Sequence, residues 1–183
     1  MDIKCSVFIA ASVDGFIARP DGDIEWLHRP EYELAALNGL TYESYIATVD
    51  ALVMGRKTLE KVQSFAEWPY EGMPVIALSH QAVEIPTYLQ GKVEVMSLDP
   101  IALVAQLAER GMKHLYIDGG QTIQAFLDSG LINELIITRI PVLLGQGIPF
   151  FSQVGNEHDL RHIGTYVSEN GFVQSRYEVT DKR

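Results

Sequence analysis

Ala51-Leu52-Val53-Met54-Gly55-Arg56-Lys57-Thr58 and Leu115-Tyr116-Ile117-Asp118-Gly119-Gly120-Gln121-Thr122 are the two stretches on which the reading of this chain turns. In each, an apolar run of strand character breaks directly into glycine and then into a polar helix start. A glycine at that junction lets backbone approach a ligand closely, and the exposed N–H groups of a helix's first turn attract phosphate oxygens. Two such turns suit a ligand with two phosphates. Arg56 and Lys57 add a planar fork and a compact point charge of the kind that holds an extra phosphate group. A dinucleotide with a ribose phosphate is the natural candidate. The plainer alternative for Gly119-Gly120 is a tight turn capped by Thr122, although adjacent glycines remove two Cβ atoms in a row, which a flat ring or pyrophosphate lying on the backbone requires. Neither stretch is a Walker loop or a GxGxxG fingerprint, so ATP chemistry is not indicated.

Working outward, strand and helix signals alternate. Ile3 to Ala11 reads as a central strand covered on both faces, Ala51 to Met54, Pro74 to Leu78, Val93 to Met96, His114 to Ile117 and Glu134 to Ile140 as further strands. Helical spacing predicts a helix within Pro30 to Tyr45, with Leu34, Leu37, Leu40 or Thr41, and Tyr45 on one side. Others are expected over Lys57 to Ser64, from Asp99-Pro100 to Arg110, and over Thr122 to Ser129. Ser12 to Asp23 carries two turn signals around Phe16-Ile17-Ala18 and reads as a long, partly mobile loop. Gly145 to Phe151 reads as a glycine-rich bend seating two aromatic rings in the core. Leu160 to Ser168 and Phe172 to Val179, joined at Asn170-Gly171, predict a closing hairpin. The expected fold is α/β: a central, mostly parallel sheet with helices on both faces and a C-terminal antiparallel hairpin, formed by residues 1–183 as one domain.

Composition narrows the function. The formal charge is −10, so the surface as a whole repels nucleic acid and anionic membrane, while a local cluster such as Arg56-Lys57 still acts over roughly 8–10 Å. No nucleic-acid or membrane partner is expected. Cys5 is the one cysteine and sits in an apolar run, where a buried inert thiol is expected. With no secretory h-region and no apolar run near ~18 residues, a cytoplasmic home is expected. The five histidines are scattered without metal-ligand spacing, and no hydrolase elbow is present. Asp14, Asp21, Asp23, Glu25 and Glu31 form an acidic stretch, either a solvated loop or a carboxylate pocket for substrate. Asp14 and Glu31 are its candidate catalytic groups.

Five ordered pieces carry a resemblance: Ser12-Val13-Asp14-Gly15-Phe16-Ile17-Ala18, Met54-Gly55-Arg56-Lys57-Thr58, Leu78-Ser79-His80, Ile117-Asp118-Gly119-Gly120-Gln121, and Ile140 through Pro149. Together they resemble the dihydrofolate reductase-like superfamily, and within it most the C-terminal reductase domain of bifunctional riboflavin-biosynthesis proteins and their stand-alone relatives. The resemblance implies an eight-stranded mixed sheet with an NADPH groove across its strand ends. Ala10 and Ile17 would face the nicotinamide, with Ile17 and Ala18 on a closing loop. Gly55, Arg56, Lys57 and Thr58 would hold the pyrophosphate and ribose phosphate, Ser79 and His80 the adenosine side, and Gly119, Gly120, Gln121 and Thr122 the rest of the diphosphate cradle. Glu31, spaced from Trp26 as in the folate-reductase motif, would be the acid on the first helix.

The implied activity is an NADPH-dependent reductase acting on a small heterocycle, resembling 5-amino-6-(5-phosphoribosylamino)uracil reductase. The alternatives are a dihydrofolate reductase acting on a pterin, and a non-catalytic nucleotide-binding module that keeps the groove. The riboflavin-type relatives pair subunits, so a homodimer is also implied.

Overall fold

The structure is a computed structural model that describes residues 2–33, 35–151 and 155–181. Its centre is an eight-stranded sheet. The strands are β1 (Lys4–Ser12), β3 (Ala51–Gly55), β4 (Val75–Leu78), β5 (Val93–Met96), β6 (His114–Asp118), β7 (Glu134–Ile140), β9 (Leu160–Val167) and β10 (Val173–Val179). Their order is β5-β4-β3-β6-β1-β7-β10-β9, and β2 (Phe16–Ala18) with β8 (Ile148–Pro149) forms a separate two-stranded ribbon. The pairs from β5 across to β7 are parallel, and β10 runs antiparallel to both β7 and β9. The mostly parallel sheet with a closing hairpin is thus as expected.

The period-two alternation of each inner strand explains why the sheet is covered on both faces. Ala51 and Val53 of β3 join one buried cluster with Leu103 and Leu107 of α4 (Pro100–Glu109) and Ile123 and Phe126 of α5 (Gly120–Asp128). Their neighbours Leu52 and Met54 join the other, with Leu59 of α3 (Arg56–Gln63) and Tyr45 of α2 (Tyr42–Ile46). Each fully buried Leu or Ile in these layers contributes roughly 1.5–3 kcal/mol by leaving water. Asp99 caps α4, its carboxylate accepting from the Ala102 N–H at 2.9 Å ahead of Pro100.

Three expectations are corrected. In place of a helix across Pro30 to Tyr45 there are α1 (Pro30–Glu33) and α2, with residues 35–41 between them in no regular structure; Leu34 lies outside the described residues. Gly39 at φ +88° breaks the helix, and the flanking backbone is claimed by the hairpin. The Leu40 N–H donates to Gln174 Oε1, Gln174 Nε2 donates back to the Leu40 carbonyl, and the Asn38 N–H donates to Ser168 Oγ. Second, the Ser12 to Asp23 loop contains β2, fixed against β8. Third, only Phe150 of the glycine-rich bend is in the core, while Phe151 is exposed.

Candidate active site

All parallel strands deliver their carboxyl ends to one edge, and a cleft of about 1860 Å³ opens there. All thirteen candidate cofactor residues line it: Ala10, Ile17, Ala18, Gly55, Arg56, Lys57, Thr58, Ser79, His80, Gly119, Gly120, Gln121 and Thr122. The two glycine turns meet. Gly55 is the N-cap of α3 and Gly119 that of α5. A methyl group placed on Gly55 would stand 2.9 Å from Thr122 Oγ1, and one on Gly119 would stand 2.6 Å from Thr58 Oγ1. Each turn therefore closes on the hydroxyl at the start of the other helix, which no residue with a Cβ permits without displacement. Gly119 also has φ +90°, a conformation glycine adopts freely. Two sets of first-turn N–H groups are thereby brought together at adjacent strand ends, a ready seat for a diphosphate.

The charges around this seat are local. Arg56 Nη1 holds Glu60 Oε1 at 2.7 Å one turn along α3, leaving its remaining donors for a ligand, and Lys57 is exposed beside it. Ser79 Oγ donates to the Gln81 carbonyl at 2.8 Å and accepts from the Gln81 N–H, shaping the turn after β4, and His80 Nδ1 lies 2.9 Å from Ser97 Oγ. On the opposite wall, Gly120 packs under Ile17 and the Pro149 carbonyl, and Gly147 is pressed on the Ala18 carbonyl, so the β2–β8 ribbon sits directly over the second turn.

The candidate catalytic carboxylates are not in the cleft lining. Glu31 is exposed on α1. Asp14 ties two loops: it accepts from Ser12 Oγ at 2.5 Å and from the N–H groups of Leu144 and Gly145 at 3.2 and 2.8 Å. These donors, Ser12 first, hold its carboxyl below the usual carboxylate range. The structure thus places neither side chain in the cleft: Glu31 is turned to solvent, and Asp14 clamps two loops.

Asp21, Glu60, Asp99 and Asp118 are the carboxylates that line the cleft, and Asp118, at the end of β6, is the one set half-buried immediately before Gly119. Burial pushes its pKa up to about 6, opposed by a bond from the Gly119 N–H. Tyr42, Tyr70 and Tyr116 stand close enough to feel its charge, and burial first, then Asp118, raises the Tyr42 hydroxyl to about 12. Tyr116 donates to the Phe8 carbonyl at 3.2 Å, and Phe8 and Tyr42 rings pack at 5.8 Å. A carboxyl group that keeps its proton toward neutrality, set among aromatic faces, can deliver that proton to a flat ring. None of these four aromatic residues stood out in the sequence, because they come from separate elements. Asp118 did carry a signal: an acidic residue closing an all-apolar parallel strand at the ligand edge.

The profile of the RibD C-terminal domain matches residues 4–174. The chain belongs to that family. It is 35% identical over 167 residues to the uncharacterized protein YwjB of Bacillus subtilis (strain 168), covering 90% of this chain and 92% of that protein. A crystal structure from Shewanella sp. PV-4, whose name places it provisionally in riboflavin biosynthesis, is 38% identical with a TM-score of 0.85, covering 97% and 99% of the two chains. The dihydrofolate reductase of Enterococcus faecalis, solved with NADP(H) and an inhibitor, is 17% identical at TM-score 0.68 over 97% of each chain. That last likeness is one of fold, and it confirms the dihydrofolate reductase-like architecture. Among the described residues of this RibD C-terminal domain protein, no helix is long and apolar enough to cross a membrane.

Proposed function

We propose that this protein is an NADPH-dependent reductase of the cytoplasm that transfers hydride to a small planar heterocycle related to the riboflavin-pathway pyrimidine. The observation that carries the reading is the mutual closure of the Gly55 and Gly119 turns beside Asp118: a diphosphate seat and a proton-bearing carboxyl at neighbouring strand ends. The glycine cradle, the paired helix starts and the Arg56-Lys57 cluster fit a phosphorylated dinucleotide. NADPH, when bound, supplies the hydride. Arg56 and Lys57 hold its ribose phosphate, Gly119 to Thr122 its diphosphate, and Ala10 and Ile17 flank the ring that reacts. Asp118 gives its proton to the ring nitrogen adjoining the carbon that is reduced, and takes another from solvent.

The test is fluorescence titration with NADPH and NADH. Arg56→Ala is expected to weaken NADPH by roughly tenfold and NADH little, since a lost charged contact is worth about 1.4 kcal/mol or more. Equal affinity for wild type and variant overturns the assignment. A pterin-reducing enzyme working through Glu31 predicts that Glu31→Gln loses most turnover. Exposure of Glu31 outside the cleft favours retained turnover instead. A non-catalytic module predicts NADPH binding with no oxidation by any pyrimidine or pterin. The exposed Ile163, Tyr166 and Val167 of edge strand β9 further support a homodimer through the hairpin, which light scattering tests directly: a monomer mass removes it.

A further inference from the structure

The cleft is asymmetric in charge. Its lysines and arginine, Arg56, Lys57 and Lys61, all stand on α3, on the cofactor side, and among the described residues the rest of the lining holds no Lys or Arg. Lys61 lies against Gly22, at the far side of α3, where Asp23, itself paired with Arg19, feels its charge. Around Asp118 stand Tyr42, Tyr70 and Tyr116, with Phe8 packed against them, and Leu40 and Phe172 line the same cleft farther along. Its amides are engaged in holding backbone: Gln174 grips Leu40 at both ends, and Asn38 Nδ2 donates to the Val167 carbonyl at 2.7 Å. Arg29 is the nearest arginine in sequence to this wall, but its guanidinium lies 5.8 Å over the Tyr32 ring and is not part of the lining. The imidazole of His28 is the one basic side chain of the lining that the first helices contribute.

From this juxtaposition we propose that the substrate is an uncharged, unphosphorylated ring compound, stacked among the tyrosines with a ring N–H or amino group on Asp118, and that a sugar-phosphate ester of the same ring is rejected. It rests on the reductase reading above. A phosphate dianion at this end would meet a carboxylate with no fixed cation to offset the loss of its hydration. A neutral ring meets aromatic faces and one acceptor, which is the composition of a site for a flat polar heterocycle. Tyr42 and Tyr70 hydroxyls have no protein partner among the described residues and remain to bond ring carbonyls.

The experiment is calorimetric titration of the NADP⁺-saturated full chain with a matched pair: 5-amino-6-ribosylaminouracil and its 5′-phosphate. The expected result is at least roughly tenfold tighter binding of the unphosphorylated compound, with that binding lost in Asp118→Asn. Leu37→Arg, on an exposed lining position, is expected to raise affinity for the phosphate ester by roughly tenfold, and Arg29→Ala to leave the pair unchanged. Equal or tighter binding of the ester by wild type overturns the proposal, as does selective loss of ester binding in Arg29→Ala or His28→Ala. Binding of neither compound while NADP⁺ binds overturns the substrate class and leaves the cofactor assignment standing. Failure of NADP⁺ itself to bind overturns the reductase reading.

Discussion

The two ends of this sheet each bury a carboxylate, and they treat it in opposite ways. At the amino end of β7, Glu134 accepts from Lys4 Nζ at 2.5 Å and from Arg176 Nε and Nη2 at 3.0 and 2.5 Å. Burial there opposes ionisation, but the two cations outweigh it and hold the pKa below its usual value. Beside it, Ser6 Oγ lies 2.8 Å from Tyr45 OH and 2.7 Å from His114 Nε2, so the fully buried polar groups of this end are saturated by one another. At the other end, among the described residues, Asp118 has a single backbone donor and no cation beside it, and its pKa rises. A satisfied carboxylate stabilises; an unsatisfied one stores a penalty that a ligand can relieve. Stability and the proposed chemistry are thus divided between the two ends of one sheet.

The largest effect that could break this division is at Asp118. Asp118→Asn is expected to lower turnover on a ring substrate by about 10²-fold or more, while leaving NADPH affinity within about twofold, because the amide can neither hold the ring's N–H as the carboxylate does nor give up a proton. The same variant should be slightly more stable than wild type at pH 8, by about 1–2 kcal/mol after allowing for the half-exposed position, since it removes a charge that the fold disfavours. Urea unfolding and steady-state rates read the two quantities separately. A loss of both stability and turnover would make Asp118 a structural residue and erase the contrast with Glu134.

Next in size is the pH profile. Asp118 in the folded protein titrates near 6, above its ordinary 3.8. The proton needed for transfer is held below that value and lost above it, so kcat/KM should fall about tenfold per unit once pH passes 6, and the Asn variant should lack this limb. The sign for stability is the same: the unfolded chain releases this proton near pH 4 and the folded chain near 6, so this group's contribution declines between them and levels off above. A rate that rises through pH 6 would mean that the ionised form is the working one.

Glu134→Gln sharpens the other arm. It leaves Lys4 and Arg176 facing a neutral amide, and a loss of about 2 kcal/mol is expected, less than for a fully dry pair because Lys4 is 44% exposed. Turnover at saturating substrate should be unchanged. Denaturant midpoints together with rates check this, and a matching fall in turnover would show the two ends to be coupled through β1 and β7.

What could be read from the sequence follows the same partition. The glycine turns, their helices and the strand ends are consecutive residues with strong local signals, so their place at the cleft is legible residue by residue. The wall proposed for substrate is assembled from Phe8, Tyr42, Tyr70 and Asp118, four positions on separate elements that only the sheet order brings together. Asn38 and Leu40 were misread as helix because their backbone partners, Ser168 and Gln174, lie over a hundred positions away. Asp14 was misread because a carboxylate clamping Leu144 and Gly145 is, in one dimension, indistinguishable from one awaiting a substrate.

The smallest expected effect tests whether the legible half is as independent as this implies. Glu60 competes with any anion for Arg56, since its carboxylate already holds Nη1 at 2.7 Å. An exposed pair four residues apart is worth about 0.3–0.5 kcal/mol, so Glu60→Gln should tighten NADPH by about twofold and leave NADH alone. Substrate affinity should not move, because neither Arg56 nor Lys57 contributes to the shift at Asp118. Paired titrations in low and high salt decide it: the gain should shrink as salt screens the exposed pair. A gain for NADH as well would mean that Glu60 acts on the diphosphate shared by both coenzymes, and that Arg56 reads the cradle and not the extra phosphate.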